Sequence, residues 1–294
     1  MDFSVIVPTR NRPKALGHCL EALAGQAWEA GQWEVIVVDD EGEADLECVV
    51  RRYAERMAVR VMRVEHRGPG AARNAGARAA EGRWLAFTDD DCLPERGWLA
   101  AFAPDLAEYP GLMAGGMTIN GLAENPQAEA SQLIATAAYR YFNADPRKAR
   151  FFASNNMSCE RETFLRVGGF DERFQIASED RELTDRWSWL GNPVHWVEGA
   201  RVRHCHNLTL RGFVRQHFNY GRGAAQYHRL RAERGRGGLF SDLSFRWNWG
   251  KLLVGPALRA RYPARMLGLL GVWQAANTAG FLYEEWQIRQ GGRS

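Results

Sequence analysis

The sequence predicts an α/β fold built on a largely parallel sheet. Two observations lead there. Short β-branched runs alternate with helix-like segments, the pattern of βαβ units. Two of those runs also stop at clusters of acids. In such sheets ligands bind beyond the carboxyl ends of the strands, so the acids mark where chemistry would sit.

Taken in order, Phe3 to Val7 (FSVIV) is the first strand, expected to stop at Pro8, which has no N–H for a sheet ladder. Pro13 suits the first turn of a helix running through HCLEALAGQ. Glu34 to Val38 (EVIVV) is the second strand and ends at Asp39-Asp40. Val59 to Val64 is the third, and the Ala-rich stretch from Gly70 to Ala80 a helix. Trp84 to Thr88 (WLAFT) is the fourth, ending at Asp89-Asp90-Asp91. From Leu112 to Asn207 the pattern is less regular, and after Leu208 arginines, glycines and aromatics dominate LRGFVRQHFNYGRGAAQYHRLRAERGRGG.

The composition excludes several classes. With 294 residues, 46% hydrophobic and 25% charged, the chain can form one large domain or two small ones. It is neither mostly disordered nor collagen-like. Five cysteines (Cys19, Cys48, Cys92, Cys159, Cys205) form no CxxC pair, so a reducing compartment is expected rather than a disulfide framework or zinc ribbon. The start, MDFSVIVPTRN, has an acid at position 2 and no long apolar run, so no signal peptide is expected. The expected location is cytoplasmic.

Charge is uneven. Residues 201–294 hold 16 Arg and Lys against 4 acids, whereas residues 1–200 hold 22 against 31. An acidic catalytic or metal-binding part is therefore joined to a basic part suited to an anionic surface. Only Lys14, Lys148 and Lys251 are lysines, which reads as genome composition. Met266 to Tyr283 is 18 residues without charge, but Gln274, Asn277 and Thr278 lie inside it. A helix of that length reaches about 27 Å, barely a bilayer core.

The strongest chemical signal is the Asp89–Asp91 run. Adjacent carboxylates repel, and a divalent cation removes that cost. Hard oxygen ligands suit Mg²⁺ or Mn²⁺ with room for substrate phosphates. The alternatives are a solvated turn, or acids capping a helix that begins at Pro94. Asp39-Asp40 is either a polar turn or a carboxylate accepting hydrogen bonds from a base or ribose. Gly68 to Gly76 opens a helix with small residues plus Arg73 and Asn74, and Arg73 could pair with a diphosphate. It is neither a P-loop nor a GxGxxG fingerprint, which argues against kinase, ATPase and NAD readings. Ser178-Glu179-Asp180 precedes a helix, with Ser178 as an N-cap and an acid able to serve as general base. Val202 to His206 places two histidines on one face if the segment is a strand; they could complete a metal site or be two polar side chains at a strand edge.

Together the segments SVIVPTRNR, EVIVVDDEG, GPGAARNAGARAAEGRWLAFTDDDCLP, NNMSCERETFLRVGGFDERF and SEDRELTDRW resemble the family 2 inverting glycosyltransferases with a GT-A fold, over roughly residues 3–207. The family usually has VVDDGS where this chain has VVDDEG, which implies a changed loop. The resemblance implies a GT-A domain over 1–210, with a nucleotide half to about 118 and an acceptor half after it. Residues 211–294 would be a basic and apolar helical extension. It also implies roles. Pro8 and Asp40 would flank the nucleobase, with Arg10 and Arg73 near the nucleotide. Asp89 would bind the ribose side, Asp91 the metal, with Asp90 between. Asp180 would be the catalytic base, supported by Glu179. Asn156, Gly168 and Gly169 would line the sugar and acceptor cleft. His204, or else His206, would help hold a Mn²⁺ or Mg²⁺ ion.

The implied reaction moves a sugar from a nucleotide-sugar donor to a glycan, lipid-linked or small-molecule acceptor, in cell-surface glycan or glycolipid synthesis. The QxxRW motif of processive relatives is absent; Gln226 and Arg229 are a near miss, so one or a few additions are expected. The basic tail is expected to dock on an anionic membrane, peripherally on its inner face, with Trp273 and Trp286 near the interface. Two other readings compete. Arginines and aromatics suit single-stranded nucleic acid, but the acid clusters repel phosphates and no nucleic acid is expected. A degenerate scaffold is opposed by the intact Asp91 and Asp180.

Overall fold

The computed structural model describes residues 1–236 and 250–291. Residues 1–121, 142–175 and 180–206 form one unit, and residues 122–141, 176–179 and 207–294 a second. The Gly237-Gly238 end of the basic segment lies outside the described residues.

The first unit is an eight-stranded sheet. Its strands are β1 (Phe3–Thr9), β2 (Trp33–Asp40), β3 (Ala58–Val64), β4 (Trp84–Phe87), β5 (Cys92–Pro94), β6 (Met113–Asn120), β7 (Met157–Glu160) and β8 (Val194–His204). Their order is β3-β2-β1-β4-β7-β6-β8-β5. β1, β2 and β4 are buried throughout, which is why they read as continuous apolar runs. The pairs β1–β2, β2–β3, β1–β4 and β6–β8 are parallel, whereas β7 and β5 run against their neighbours.

The expected stop at Pro8 is corrected: β1 continues to Thr9, with Pro8 opposite Val38. The Ile6 carbonyl accepts from Thr88 N on the β4 side, and the peptide group of Pro8, two residues on, faces that same side. β4 has already ended at Phe87, opposite Ile6, so no ladder bond is lost. Pro94 does not start a helix either. It ends β5, and the next helix begins at Trp98.

Helices α1 (Pro13–Ala24), α2 (Glu47–Val50), α3 (Pro69–Ala79) and α4 (Trp98–Glu108) lie between these strands. Leu16, Leu20 and Leu23 of α1 and Trp98, Leu99 and Phe102 of α4 share a buried core with β1 and β2. On α3 a methyl group at Gly76 would stand 2.6 Å from Ile6 and 3.0 Å from Val38, so only glycine lets the helix lie this close to β1 and β2.

The second unit is helical: α5 (Pro126–Phe142), α8 (Leu210–Glu233), α9 (Gly255–Leu258) and α10 (Pro263–Gly291); α6 (Arg161–Arg166) and α7 (Glu179–Trp189) intervene in the chain. Ala130, Ala137, Phe213, Met266, Leu269, Leu270 and Trp273 form its core. Trp273 is therefore buried, not at an interface as expected, while Trp286 is exposed. α8 and α10 touch through glycines, Gly221 against the Asn277 carbonyl and Gly280 against the Phe218 carbonyl. Buried Glu284 accepts from Arg222 Nε (2.7 Å) and Gln226 Nε2. Among the described residues no helix is long and apolar enough to cross a membrane.

Replacing Gly76 by valine should lower stability by about 1–3 kcal/mol through overpacking. Denaturant unfolding checks this, and an unchanged midpoint would refute the close approach.

Candidate functional site

Six strands, β1 to β4, β6 and β8, run in one direction, so their carboxyl ends share one edge of the sheet. β5 and β7 run oppositely and begin at that edge. Thr9 and Arg10, Asp39 and Asp40, Asp89 to Asp91, Asn120 and His204 therefore all arrive there. So does the turn Ser154–Asn156 that leads into β7.

After β4 the chain turns, with Cys92 N bonded to the Asp89 carbonyl (3.0 Å). The three carboxylates of this turn have different partners. Asp90 is fully buried and accepts from Thr9 Oγ1 (2.6 Å) and Arg12 Nε (3.1 Å). Burial pushes its pKa up to about 6, against the pull of Arg12 and of the Thr9 hydrogen bond. Asp91 is partly open, bonded to Arg12 Nη1 (2.9 Å) and 3.3 Å from His204 Nε2. Burial alone would raise its pKa, but His204 and Arg12 outweigh it and hold Asp91 well below the usual carboxylate range. Asp89 pairs with Arg73 Nη2 at 2.6 Å. Arg73 comes from α3, is almost fully buried, and lies over the Phe170 ring.

His204 closes β8 opposite Cys92. The strand ends there, so the two histidines are not strand neighbours on one face. His206 instead folds back against His204, with their Nδ1 atoms 2.8 Å apart. Burial and then the neighbouring His204 lower the His206 pKa to about 4, which leaves that imidazole neutral. Asp91, Cys92 and His204 offer donor atoms within 4.8 Å of one another. Cys92 is fully buried, and burial pushes its thiol pKa far up, away from the thiolate form that ligates a metal. The ionised carboxylate of Asp91 and the imidazole of His204 remain, a donor pair that fits Mn²⁺.

Farther along the edge, Asp40 accepts from His66 Nδ1 (2.7 Å) and Arg67 N (3.1 Å), and Arg10 Nη1 lies 3.0 Å from the other nitrogen of His66. Pro8 is buried, opposite Val38 of β2. In the VVDDEG loop Glu41 has φ +56, and Asn11 Oδ1 accepts from Glu43 N, tying that loop to the one after β1.

Asp180, in the first turn of α7, accepts from Ser154 N through Oδ2 (3.4 Å), which brings its carboxylate to the start of β7. Glu179 beside it is buried. Ser178 has φ +75, left-handed backbone and not the extended conformation of an N-cap serine, so the expected cap is corrected.

Asn156 is also placed differently from the expectation. It is fully buried, accepting from Trp98 Nε1 (2.8 Å) and donating to the Ala200 carbonyl (2.9 Å), so its amide braces strands and does not line a cleft. Gly168 (φ +92) and Gly169 (φ +64) form a left-handed turn, the first exposed and the second buried. Arg186, paired with Glu182 at 2.8 Å, donates to the carbonyls of Val167 and Gly169. Asn74 receives Phe170 N (2.8 Å) and donates to its carbonyl (2.9 Å). Thr9, Arg12, His66, Ser154 and Arg186 were missed from sequence. Of these, Arg12 carried a signal, since it follows the first strand in TRNR, one turn from the edge.

A sheet whose carboxyl edge gathers acids, arginines and a histidine has the ligand-binding edge of an open α/β fold. The family model of glycosyl transferase family 2 matches residues 4–168, and the chain belongs to that family. It is similar to the pre-mycofactocin glycosyltransferase of Mycobacterium tuberculosis, 29% identical over 231 residues, 76% of this chain and 47% of that protein. It is also similar to the validoxylamine A glucosyltransferase of Streptomyces hygroscopicus subsp. jinggangensis, 30% identical over 65% of this chain and 52% of that one. The chain thus spans about half the length of these curated relatives. Its fold matches the GT-A structure of a Pyrobaculum calidifontis mannosyltransferase in complex with GDP-Man and Mn²⁺, with TM-score 0.68, 20% identity, and coverage of 97% of this chain and 87% of that one.

Proposed function

We propose that this chain is an inverting glycosyltransferase that moves a sugar from a nucleotide-sugar donor to an acceptor hydroxyl and uses a divalent cation. The observation that carries this reading is the carboxyl edge. It holds a base-side carboxylate (Asp40), an arginine–carboxylate pair (Arg73–Asp89), a metal-type donor pair (Asp91 and His204) and a separate carboxylate (Asp180). The GDP-Man and Mn²⁺ of the structural neighbour support it.

In this reading Asp40, with Arg10 and His66, receives the nucleobase. Asp89 serves the ribose side, and Arg73 faces the nucleotide. Asp91 and His204 would hold Mn²⁺ or Mg²⁺. A cation there would supply neutralisation of the charge that builds on the departing nucleoside diphosphate. Asp180, beside Glu179, takes the proton from the acceptor hydroxyl as its oxygen bonds to the anomeric carbon. The bond to the diphosphate oxygen breaks with its electron pair on the diphosphate, and the single displacement inverts that carbon. Asp90 acts from the core by fixing Arg12 and Thr9. The domain division in this reading is a transferase domain over 1–210 and a helical extension over 211–294, with residues 122–141 and 176–179 sharing the compact unit of the extension. The acceptor class is a glycan, lipid-linked or small-molecule hydroxyl in cell-surface glycan or glycolipid synthesis, and the location cytoplasmic and peripheral.

The extension supports that last point. Leu258, Tyr262 and Leu267 are exposed, near Arg259, Arg261 and Arg265 in sequence, and Trp286 is exposed farther along α10. Apolar side chains interleaved with arginines suit an anionic lipid surface.

Three measurements test the proposal. Screening nucleotide sugars with Mn²⁺ should find a donor whose transfer a chelator abolishes and added Mn²⁺ or Mg²⁺ restores. Asp91→Asn should weaken both nucleotide binding and turnover, and full activity in excess chelator would overturn the metal role. Asp180→Asn should lower turnover by about 10²–10⁴-fold, the range for a lost general base. Donor affinity should change little, and a collapse of donor binding with turnover of bound donor intact would refute the assignment. The intact protein should float with anionic vesicles at low salt and be released by high salt. No co-flotation at low salt would assign the extension to packing or assembly.

A further inference from the structure

Arg12 does something the proposed reaction does not use. Its Nε donates to Asp90 Oδ2 (3.1 Å), its Nη1 donates to Asp91 Oδ2 (2.9 Å), and its Nη2 pairs with Asp90 Oδ1. The side chain is 51% exposed, so the guanidinium sits at the mouth of the site and not in the core. Asp89 is already matched by Arg73, and Arg12 is the arginine that faces the two remaining carboxylates. His204 stands on the other oxygen of Asp91. Asp91 is thus shared between Arg12 on Oδ2 and the metal-type position on Oδ1.

Two cations on one carboxylate oppose each other. A divalent ion on Asp91 adds two positive charges a few ångströms from a fixed guanidinium, where charge repulsion is strong even near a surface. A nucleoside diphosphate reverses the balance, because its oxygens accept the same planar fork that now clasps the carboxylates.

We propose that Arg12 is the resident counter-cation of Asp90 and Asp91, and that it gives up Asp91 to the metal when a nucleoside diphosphate arrives to receive its guanidinium. Metal and diphosphate then bind with positive coupling, each tightening the other by the same factor. Without a diphosphate, Arg12 keeps metal affinity low. The inference rests on the metal reading of Asp91 and His204.

Free Mn²⁺ followed by electron paramagnetic resonance, with and without UDP or GDP, tests it on the intact chain. The wild type should bind Mn²⁺ weakly alone and more tightly with one of the diphosphates. Arg12→Gln should bind Mn²⁺ alone at least about tenfold tighter, the factor one lost charge-assisted hydrogen bond is worth. Its coupling to the diphosphate should nearly vanish. Arg12→Lys, which keeps the charge but not the fork, should fall between. Arg56→Gln, which breaks an exposed pair with Glu21 and a contact over the Tyr53 ring, should match the wild type. If Arg12→Gln and Arg12→Lys bind Mn²⁺ alone no tighter than the wild type, which itself binds, the counter-cation role is overturned and the metal reading stands. If neither wild type nor variant binds Mn²⁺ with UDP or GDP present, both are overturned.

Discussion

Neutralising three consecutive carboxylates is the constraint around which the site is built. Asp89, Asp90 and Asp91 cannot lie together at a strand end without partners, because each raises the cost of ionising the next. The chain answers from three directions. α3 sends Arg73 to Asp89, the loop after β1 sends Thr9 and Arg12 to Asp90 and Asp91, and β8 ends with His204 on Asp91. Because the turn alternates, Asp90 points into the core while Asp89 and Asp91 stay partly open. The buried middle acid anchors, and the flanking two remain available to a ligand.

The sheet makes this convergence possible. Parallel strands deliver their carboxyl ends to one edge, but they deliver nothing from the stretch between β6 and β8. The reversal of β7 solves that. Its start lies at the same edge, so Ser154 N can hold Asp180 there, while Asn156 locks the turn to Trp98 and Ala200. A buried asparagine with both ends of its amide satisfied is a strong brace, since losing either bond strands a buried polar group. This explains why Asn156 looks like a site residue in the sequence but works as a strut.

What could be read beforehand follows from how local each signal is. The three buried strands of the first half, β1, β2 and β4, show as apolar runs, and the acids at the ends of β2 and β4 point to the edge without any tertiary knowledge. Resemblance to a family supplied the motifs around Asp180 and His204. The misreadings all involve geometry that spacing does not carry. Pro8 is tolerated because β4 stops two residues earlier, a fact about another strand. Trp273 looks like an interfacial aromatic in an uncharged run, but it is buried in one core with Phe213 and Ala257. His66 has no sequence signal at all, because its partners Arg10 and Asp40 lie 56 and 26 residues away.

One connection inside the first unit ties the two ends of the proposed reaction. Glu182 lies on α7 close after Asp180 and pairs with Arg186, which holds the carbonyls on both sides of Gly168. That turn delivers Phe170, whose backbone is clasped by Asn74 and whose ring lies under Arg73. Arg73 in turn holds Asp89. The helix bearing the proposed base and the strand end bearing the nucleotide acids are thus joined through one left-handed turn. Methyl groups there are excluded by φ at Gly168 and by both φ and Asn74 at Gly169. The glycines expected to touch sugar therefore act first as the joint that keeps Asp180 and Asp89 in register.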